Sequence, residues 1–343
     1  MTVEHVIVVG ASAGGVEALL AFAGGLPEDL DAAVCIVLHQ PANVPSALPR
    51  LLARAGPLPA AHAQDAEPLE PRRLYVAPPD HHLLVKRDHL TLTRGPVENG
   101  HRPAIDPLFR TAAREYGPAT IAVVLSGSLD DGSAGAALVE SEGGRVVVQD
   151  LDDALYPEMP RNAARTVRSL AGTASAAELG ALLARLVADE GQPDPTGPAR
   201  QERDPSARDP DPAELEADPV GSDHHHATLS CPTCSGPMVE RIHDGELRFR
   251  CRVGHGWSLD ALASQQGGVA ESALWQAVRL LEERITVVER LVDRARARHQ
   301  TRAVAGFQAQ IADLSAHAGA LRAVLATGHT TSQSDGDVVE ASG

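Results

Sequence analysis

Aromatic residues are scarce in this sequence, at 3% of 343 residues, although hydrophobic residues make up 43%. A core with so few aromatic side chains must be built from Val, Leu, Ile and Ala, which is typical of a buried parallel sheet flanked by helices. The length exceeds the ~100 to 200 residues usual for one domain. The composition therefore predicts an α/β fold with more than one domain.

The sequence also lacks an excess of basic residues, a long apolar run and a recognisable signal peptide. Its net charge of -16 argues against nucleic acid or an anionic membrane as a partner, because either requires a basic face. No segment approaches the ~20 apolar residues of a membrane span, and residues 1–10 lack the basic start and apolar stretch of a signal peptide. We therefore expect a cytoplasmic protein without direct membrane insertion.

Cysteine is limited to four residues, and three of them lie with a histidine at metal-ligand spacing. Cys231 and Cys234 are separated by two residues, Cys251 and His255 by three, and sixteen residues separate the pairs. Three thiolates and an imidazole complete a tetrahedral zinc site with no open position, so the spacing predicts a structural zinc in a zinc-ribbon-like module over 230–262. Unligated cysteines in a loop are the alternative interpretation.

Up to residue 190 the sequence alternates apolar runs with helical segments, which predicts βαβ units in a doubly wound, mostly parallel, Rossmann-like sheet. The predicted strands are Val6–Val9, Ala32–Leu38, Leu74–Ala77, His82–Lys86, His89–Thr93, Ala119–Leu125 and Gly144–Gln149, and the predicted helices are Gly15–Ala23 and Ser133–Ser141.

After residue 190 the alternation of apolar runs and helical segments stops. Residues 191–223 contain nine acidic residues, seven prolines and three arginines, so we predict a disordered linker over 191–229. After the zinc module, apolar residues recur at spacings of three and four, which predicts a helical hairpin or a dimerising coiled coil over 263–327, followed by a disordered tail at 328–343. The repeating positions are Leu274, Val278, Leu281, Ile285, Val288 and Val292, then Phe307, Ile311, Leu314, Ala318, Leu321 and Leu325.

A serine occupies the turn after the first predicted strand, in the sequence Gly10-Ala-Ser12-Ala-Gly14-Gly15. Glycines on both sides permit the tight backbone that exposes a nucleophilic hydroxyl at a strand-to-helix turn. A phosphate-binding turn of a nucleotide-binding protein is the alternative, but Ser12 stands where such a turn carries its middle glycine.

Two other strand ends carry residues of matching chemistry. His39 follows the second predicted strand, and Asp131 follows the strand that ends near Leu125. Carboxyl ends of parallel strands meet at one edge of a sheet, where ligands bind in open α/β folds. A serine, a histidine and a carboxylate at that edge form the composition of an acyl-transfer triad.

Six motifs in the first 185 residues resemble the catalytic domain of the CheB-type protein-glutamate methylesterases of bacterial chemotaxis. They are Gly-Ala-Ser-Ala-Gly-Gly at 10–15, Leu-His-Gln-Pro at 38–41, Tyr-Val-Ala-Pro-Pro-Asp-His-His-Leu at 75–83, His-Arg-Pro-Ala-Ile-Asp-Pro-Leu-Phe at 101–109, Leu-Ser-Gly-Ser-Leu-Asp-Asp-Gly at 125–132 and Met-Pro-Arg-Asn-Ala at 159–163.

The resemblance implies that Ser12 is the nucleophile, His39 the general base and Asp131 the carboxylate that orients it, with Asp130 the less favoured candidate. It further implies hydrolysis of glutamate γ-methyl esters on a chemoreceptor-like protein, with release of methanol, deamidation of glutamine as a second activity, and no cofactor for catalysis. Backbone amides beside Ser12 and in the loop 127–129 are the expected oxyanion donors. The chain resembles a stand-alone catalytic domain without a receiver domain, and we expect the C-terminal helices to contact signalling partners.

Two other functions remain open on the sequence alone. One is an esterase acting on a different signalling target, because a fold and a triad do not specify a substrate. The other is a non-catalytic adaptor that binds a nucleotide or a peptide in the same crevice.

Overall fold

The computed structural model describes residues 3–189, 226–243 and 246–331. Most of the predicted linker and the end of the predicted tail lie outside these ranges. The chain divides into two compact units, residues 1–262 and 263–343, and the division places the cysteine-rich module in the same unit as the N-terminal α/β domain.

Nine strands belong to the α/β domain: β1 His5–Ala11, β2 Ala32–Leu38, β3 Ala60–His62, β4 Arg73–Val76, β5 His82–Val85, β6 Leu90–Thr93, β7 Thr120–Val124, β8 Arg145–Gln149 and β9 Gly172–Ala174. Seven of them form one parallel sheet in the order β3-β4-β2-β1-β7-β8-β9, and β5 pairs antiparallel with β6 in a separate hairpin. The predicted doubly wound parallel sheet is therefore confirmed, with β1 at its centre.

Six helices accompany the sheet: α1 Gly15–Gly25, α2 Leu48–Ala55, α3 Ile105–Tyr116, α4 Ser133–Ser141, α5 Glu158–Thr166 and α6 Leu179–Ala188. Two apolar clusters cover the opposite faces of the sheet, because successive side chains of a strand point to opposite sides. Val6 and Val8 belong to one cluster, whereas Ile7 and Val9 belong to the other. The core is mainly aliphatic, as the composition indicates, with Phe22, Tyr75 and Phe109 among its buried side chains.

The cysteine-rich module, called the ribbon below, is a four-stranded antiparallel sheet made of β10 His226–Ser230, β11 Pro237–His243, β12 Glu246–Cys251 and β13 Gly256–Ser258. Its small core includes Met238, Phe249 and Trp257. β10 begins at His226, four residues before the predicted start of the module, because these residues pair with β11.

Two long helices follow the cysteine-rich module, α7 Leu259–Ala297 and α8 Thr301–Thr331. They are joined by three residues and by an ion pair between Glu282 and Arg322, as an antiparallel hairpin requires. All twelve apolar positions of the predicted repeat are buried or half-buried. Among the described helices, none combines the length and the apolar character needed to cross a membrane.

Candidate active site

Ser12 lies in the turn between β1 and α1. Its amide donates to the Ser126 carbonyl at 2.9 Å, and its own carbonyl accepts from the amide of Gly15 at 2.9 Å. Gly14 has a φ of +66°, a conformation that favours glycine, and a Cβ there would lie 2.8 Å from Oγ of Ser126. The turn therefore depends on glycine at this position, and it holds Ser12 at the carboxyl edge of the sheet.

His39 and Asp131 reach the same edge from other elements. The amide of His39 donates to the Ala11 carbonyl at 3.1 Å, which fixes the end of β2 beside the end of β1. Nδ1 of His39 lies 3.0 Å from Oγ of Ser12, and Nε2 lies 2.8 Å from Oδ2 of Asp131. The structure thus joins three side chains that are up to 119 positions apart in the sequence into one chain of hydrogen bonds.

Asp131 accepts four hydrogen bonds with its two oxygens. Oδ2 accepts from Nε2 of His39 at 2.8 Å and from the amide of Ile105 at 2.7 Å, while Oδ1 accepts from Nδ2 of Asn99 at 2.9 Å and from the amide of Asp106 at 3.3 Å. Burial disfavours the charged carboxylate, but His39, the Ile105 amide and Asn99 outweigh it, and the pKa of Asp131 lies well below its usual value. Asp131 is therefore ionised and can only accept hydrogen bonds.

His101 stacks on His39, with ring centroids 3.7 Å apart and an interplanar angle of 10°. Burial and the neighbouring His39 ring lower the pKa of His101 to about 4. His101 is consequently neutral near pH 7 and presents an apolar ring face that limits the movement of the His39 imidazole.

The amides expected to donate to an oxyanion fall into two groups. In the loop 127–129, Gly127 already donates to the Tyr156 carbonyl at 2.9 Å, and Leu129 donates to Oε2 of Glu158 at 3.1 Å. These two donors are engaged in holding the loop against α5.

By contrast, the amides of Ala13, Gly14 and Ser128 have no acceptor among the described residues. Ala13 and Gly14 directly follow Ser12 and precede the first turn of α1, where a helix carries partial positive charge. Two of the three free donors therefore belong to the turn that carries Ser12.

The polar residues of the 75–83 motif have structural partners. Asp80 pairs with Arg102 and with Arg94, and the Arg102 hydrogen bond lowers the pKa of Asp80. His82 is buried, with Nε2 3.0 Å from the Pro96 carbonyl. These contacts give both side chains a role in holding the loops that carry Arg94, Pro96 and Arg102.

The four predicted metal ligands converge in the ribbon, and their ligand atoms all lie within 4.8 Å of one another. Sγ of Cys234 and Sγ of Cys251 are 3.6 Å apart, and Nδ1 of His255 lies 3.6 Å from Sγ of Cys231 and 3.4 Å from Sγ of Cys251. Tetrahedral zinc with bonds of ~2.3 Å to sulfur and ~2.0 Å to nitrogen separates its ligand atoms by about 3.5 to 3.8 Å. The residues present therefore fit a closed structural metal site.

Three residues of the site region were not singled out from the sequence. Asn99 and Asp106 supply hydrogen bonds around Asp131, and His101 stacks on His39. His101 and Asp106 belong to the 101–109 motif, so the motif marked the segment without indicating which side chain contacts which.

Comparisons with known proteins agree with the architecture. A family model described as CheB methylesterase matches residues 7–183. The crystal structure of the Thermotoga maritima CheB methylesterase catalytic domain is similar with a TM-score of 0.51 and 30% identity, covering 53% of this chain and 98% of that one.

Two curated relatives carry the name protein-glutamate methylesterase/protein-glutamine glutaminase. One, from Methanosarcina mazei, is 35% identical over 167 residues, covering 46% of each chain. Another, from Anaeromyxobacter dehalogenans, is 41% identical over 158 residues, again covering 46% of each. The chain thus spans about half the length of the curated relatives that it matches.

Proposed function

The chain belongs to the CheB methylesterase family, and from this membership we propose that it is a serine hydrolase that demethylates glutamate γ-methyl esters on chemoreceptor-like proteins. The hydrogen-bond chain from Ser12 through His39 to Asp131 is the observation that carries the proposal. Each of its links lies within the distance at which a nucleophile, a base and an orienting carboxylate operate.

The contacts of His39 determine which nitrogen holds the proton. Because ionised Asp131 only accepts, Nε2 of His39 is the nitrogen that donates to it. Nδ1 then carries the lone pair and faces the Ser12 hydroxyl. This tautomer is the one that a general base requires.

In the acylation step, Oγ of Ser12 attacks the carbonyl carbon of the ester while Nδ1 of His39 takes the hydroxyl proton. The carbonyl oxygen becomes an oxyanion, for which the free amides of Ala13 and Gly14 are the expected donors. The intermediate then collapses, and His39 returns the proton to the departing methoxide. Methanol leaves, and an acyl-enzyme on Ser12 remains.

Water completes the cycle. His39 takes a proton from the water, the hydroxide adds to the acyl carbon, and Ser12 is released with the proton on its Oγ, leaving glutamate on the substrate. A glutamine side chain enters the same sequence with ammonia in place of methanol, since the acyl-enzyme is identical. The names of the curated relatives, which include both activities, support this second reaction.

We also propose that Cys231, Cys234, Cys251 and His255 hold a structural zinc. The ion would cross-link the two ends of the ribbon and contribute to its folding. The cytoplasmic location, and the contact of α7 and α8 with signalling partners, stay predictions.

Methanol release from methyl-esterified receptor tests the function. Wild-type protein is expected to release methanol, and Ser12→Ala is expected to release none while unfolding at the same temperature. Ser133→Ala is the matched control, because the Ser133 hydroxyl is buried and has no hydrogen-bond partner within the described residues. Equal release by wild type and Ser12→Ala, or no release from any carboxyl ester, would refute the proposal.

A further inference from the structure

The ribbon is docked on the segment that supports Asp131. β13 runs beside residues 97–99: the Gly256 amide donates to the Val97 carbonyl at 3.3 Å, and the Asn99 amide donates to the Gly256 carbonyl at 2.9 Å. The Ser258 hydroxyl donates to Oδ1 of Asp130 at 2.8 Å. The contact is therefore made by backbone pairing as well as by side chains.

Asn99 connects this contact to Asp131. Its Oδ1 accepts from the amide of Ser258 at 2.9 Å, and its Nδ2 donates to Oδ1 of Asp131 at 2.9 Å. Because an amide has one acceptor end and one donor end, the bond to Ser258 determines that the NH2 group faces Asp131. Asn99 is 5% exposed, so water does not replace either contact readily.

A second link runs through Asp106. Arg248 of β12 donates to Oδ2 of Asp106 at 2.7 Å, and the carboxylate of Asp106 is fully buried. Oδ1 of Asp106 accepts from the amide of Gly132, which directly follows Asp131, and from the amide of Gly135 in the first turn of α4. A buried carboxylate left without its cationic partner is costly, so the ribbon also supplies charge balance to the turn that carries Asp131.

We propose that the ribbon positions the reaction centre, with Asn99 as the positioning residue that transmits its docking to Asp131. This inference deepens the function proposed above and rests on it. The ribbon supplies the Ser258 amide and the Arg248 guanidinium, and the α/β domain supplies the triad. A ribbon that is detached or misfolded leaves Asp131 with fewer partners and His39 less firmly oriented.

Asn99→Gly is the most direct test, because Asn99 has a φ of +50° that glycine adopts without strain. The variant loses the carboxamide contacts with Ser258 and Asp131, together with a longer one from Nδ2 to Oδ2 of Asp106 at 3.4 Å. We expect kcat for methanol release to fall about tenfold, the effect of losing one hydrogen bond to a charged group, with KM unchanged. The proton between His39 and Asp131 is expected to give a low-field NMR resonance, which should shift or broaden in this variant. A purely structural role would change neither kcat nor this resonance in folded protein.

A pair of arginine variants tests the part played by the ribbon. Arg248→Met is expected to lower kcat and to perturb the same resonance, whereas Arg252→Met, an exposed arginine in the same module, should match wild type. If Asn99→Gly fails to fold, Asn99→Asp replaces it as the test. The new carboxylate still accepts from the amide of Ser258 but repels Asp131, so kcat should fall at least as far as expected for Asn99→Gly.

The outcomes separate this inference from the proposed function. If wild type releases methanol and folded Asn99→Gly retains its kcat and its resonance, the positioning role is wrong. If wild type releases no methanol, the proposed reaction fails, but the resonance still decides whether the ribbon contact acts on the His39–Asp131 pair.

Discussion

Replacement of Asp131 by asparagine turns one carboxylate oxygen of the proposed triad into an NH2 group. The hydrogen bonds of Asp131 predict what this change does to activity and to stability. Four N–H donors converge on the two oxygens of Asp131, two on each. In Asp131→Asn, whichever side the new NH2 group occupies, it faces two donors instead of accepting from them. If it faces His39, the imidazole must adopt the other tautomer, and Nδ1 no longer accepts from Ser12.

We expect kcat for methanol release to fall about 10⁴-fold, as it does when the carboxylate of a Ser-His-Asp triad becomes an amide. This corresponds to about 5 kcal/mol of lost transition-state stabilisation. Two donors left unpaired would lower the free energy of unfolding by about 2 to 6 kcal/mol. Both quantities are measurable on the same sample, by methanol release and by denaturant unfolding.

Asp152→Asn is the control, because Asp152 is an exposed carboxylate in the loop after β8, and it should leave both quantities unchanged. The reasoning fails if folded Asp131→Asn retains kcat within tenfold of wild type, since a base that works without its carboxylate does not need the orientation described here.

Three further results are expected. Gly127→Ala should abolish turnover with modest loss of stability, because a Cβ there would lie 2.6 Å from Sδ of Met159 and 3.0 Å from Cβ of Ser12; an active variant would contradict this. Burial raises the pKa of Asp130 from 3.8 to about 6, so the folded protein holds this proton more tightly than the unfolded chain and loses stability as pH rises from 4 through 6. Asp130→Asn should therefore raise the free energy of unfolding at pH 8 by about 2 kcal/mol, with the gain vanishing near pH 4 in denaturant titrations. Native mass spectrometry should find one zinc per chain and none in Cys234→Ser, and a metal-free wild type would exclude the site.

Strand positions in the α/β domain were predictable because each buried parallel strand is a short apolar run. The predicted strand Ala32–Leu38 and the predicted helix Ser133–Ser141 coincide with β2 and α4 at both ends. An uninterrupted apolar run of this kind also predicts that the strand is buried on both faces, and all seven residues of β2 are buried.

The elements not predicted are short or lack a local signal. β3 and β9 have three residues each, too few for a pattern to emerge. α3 begins without a side-chain cap and contains Pro107 in its first turn. Its start is instead stabilised by Asp131, which accepts from the amides of Ile105 and Asp106 and lies 25 or more positions away.

The sequence by itself determined the fold class, the strand ends that carry Ser12 and His39, and the four clustered candidate metal ligands of the ribbon, because each of these depends on residues close together in the chain. The tertiary structure alone decided that Asp131 contacts His39 while the adjacent Asp130 contacts Ser258, and that the ribbon lies against Asn99. Hydrogen bonds between groups 92 to 159 positions apart determine those pairings, and no local pattern of residues encodes them.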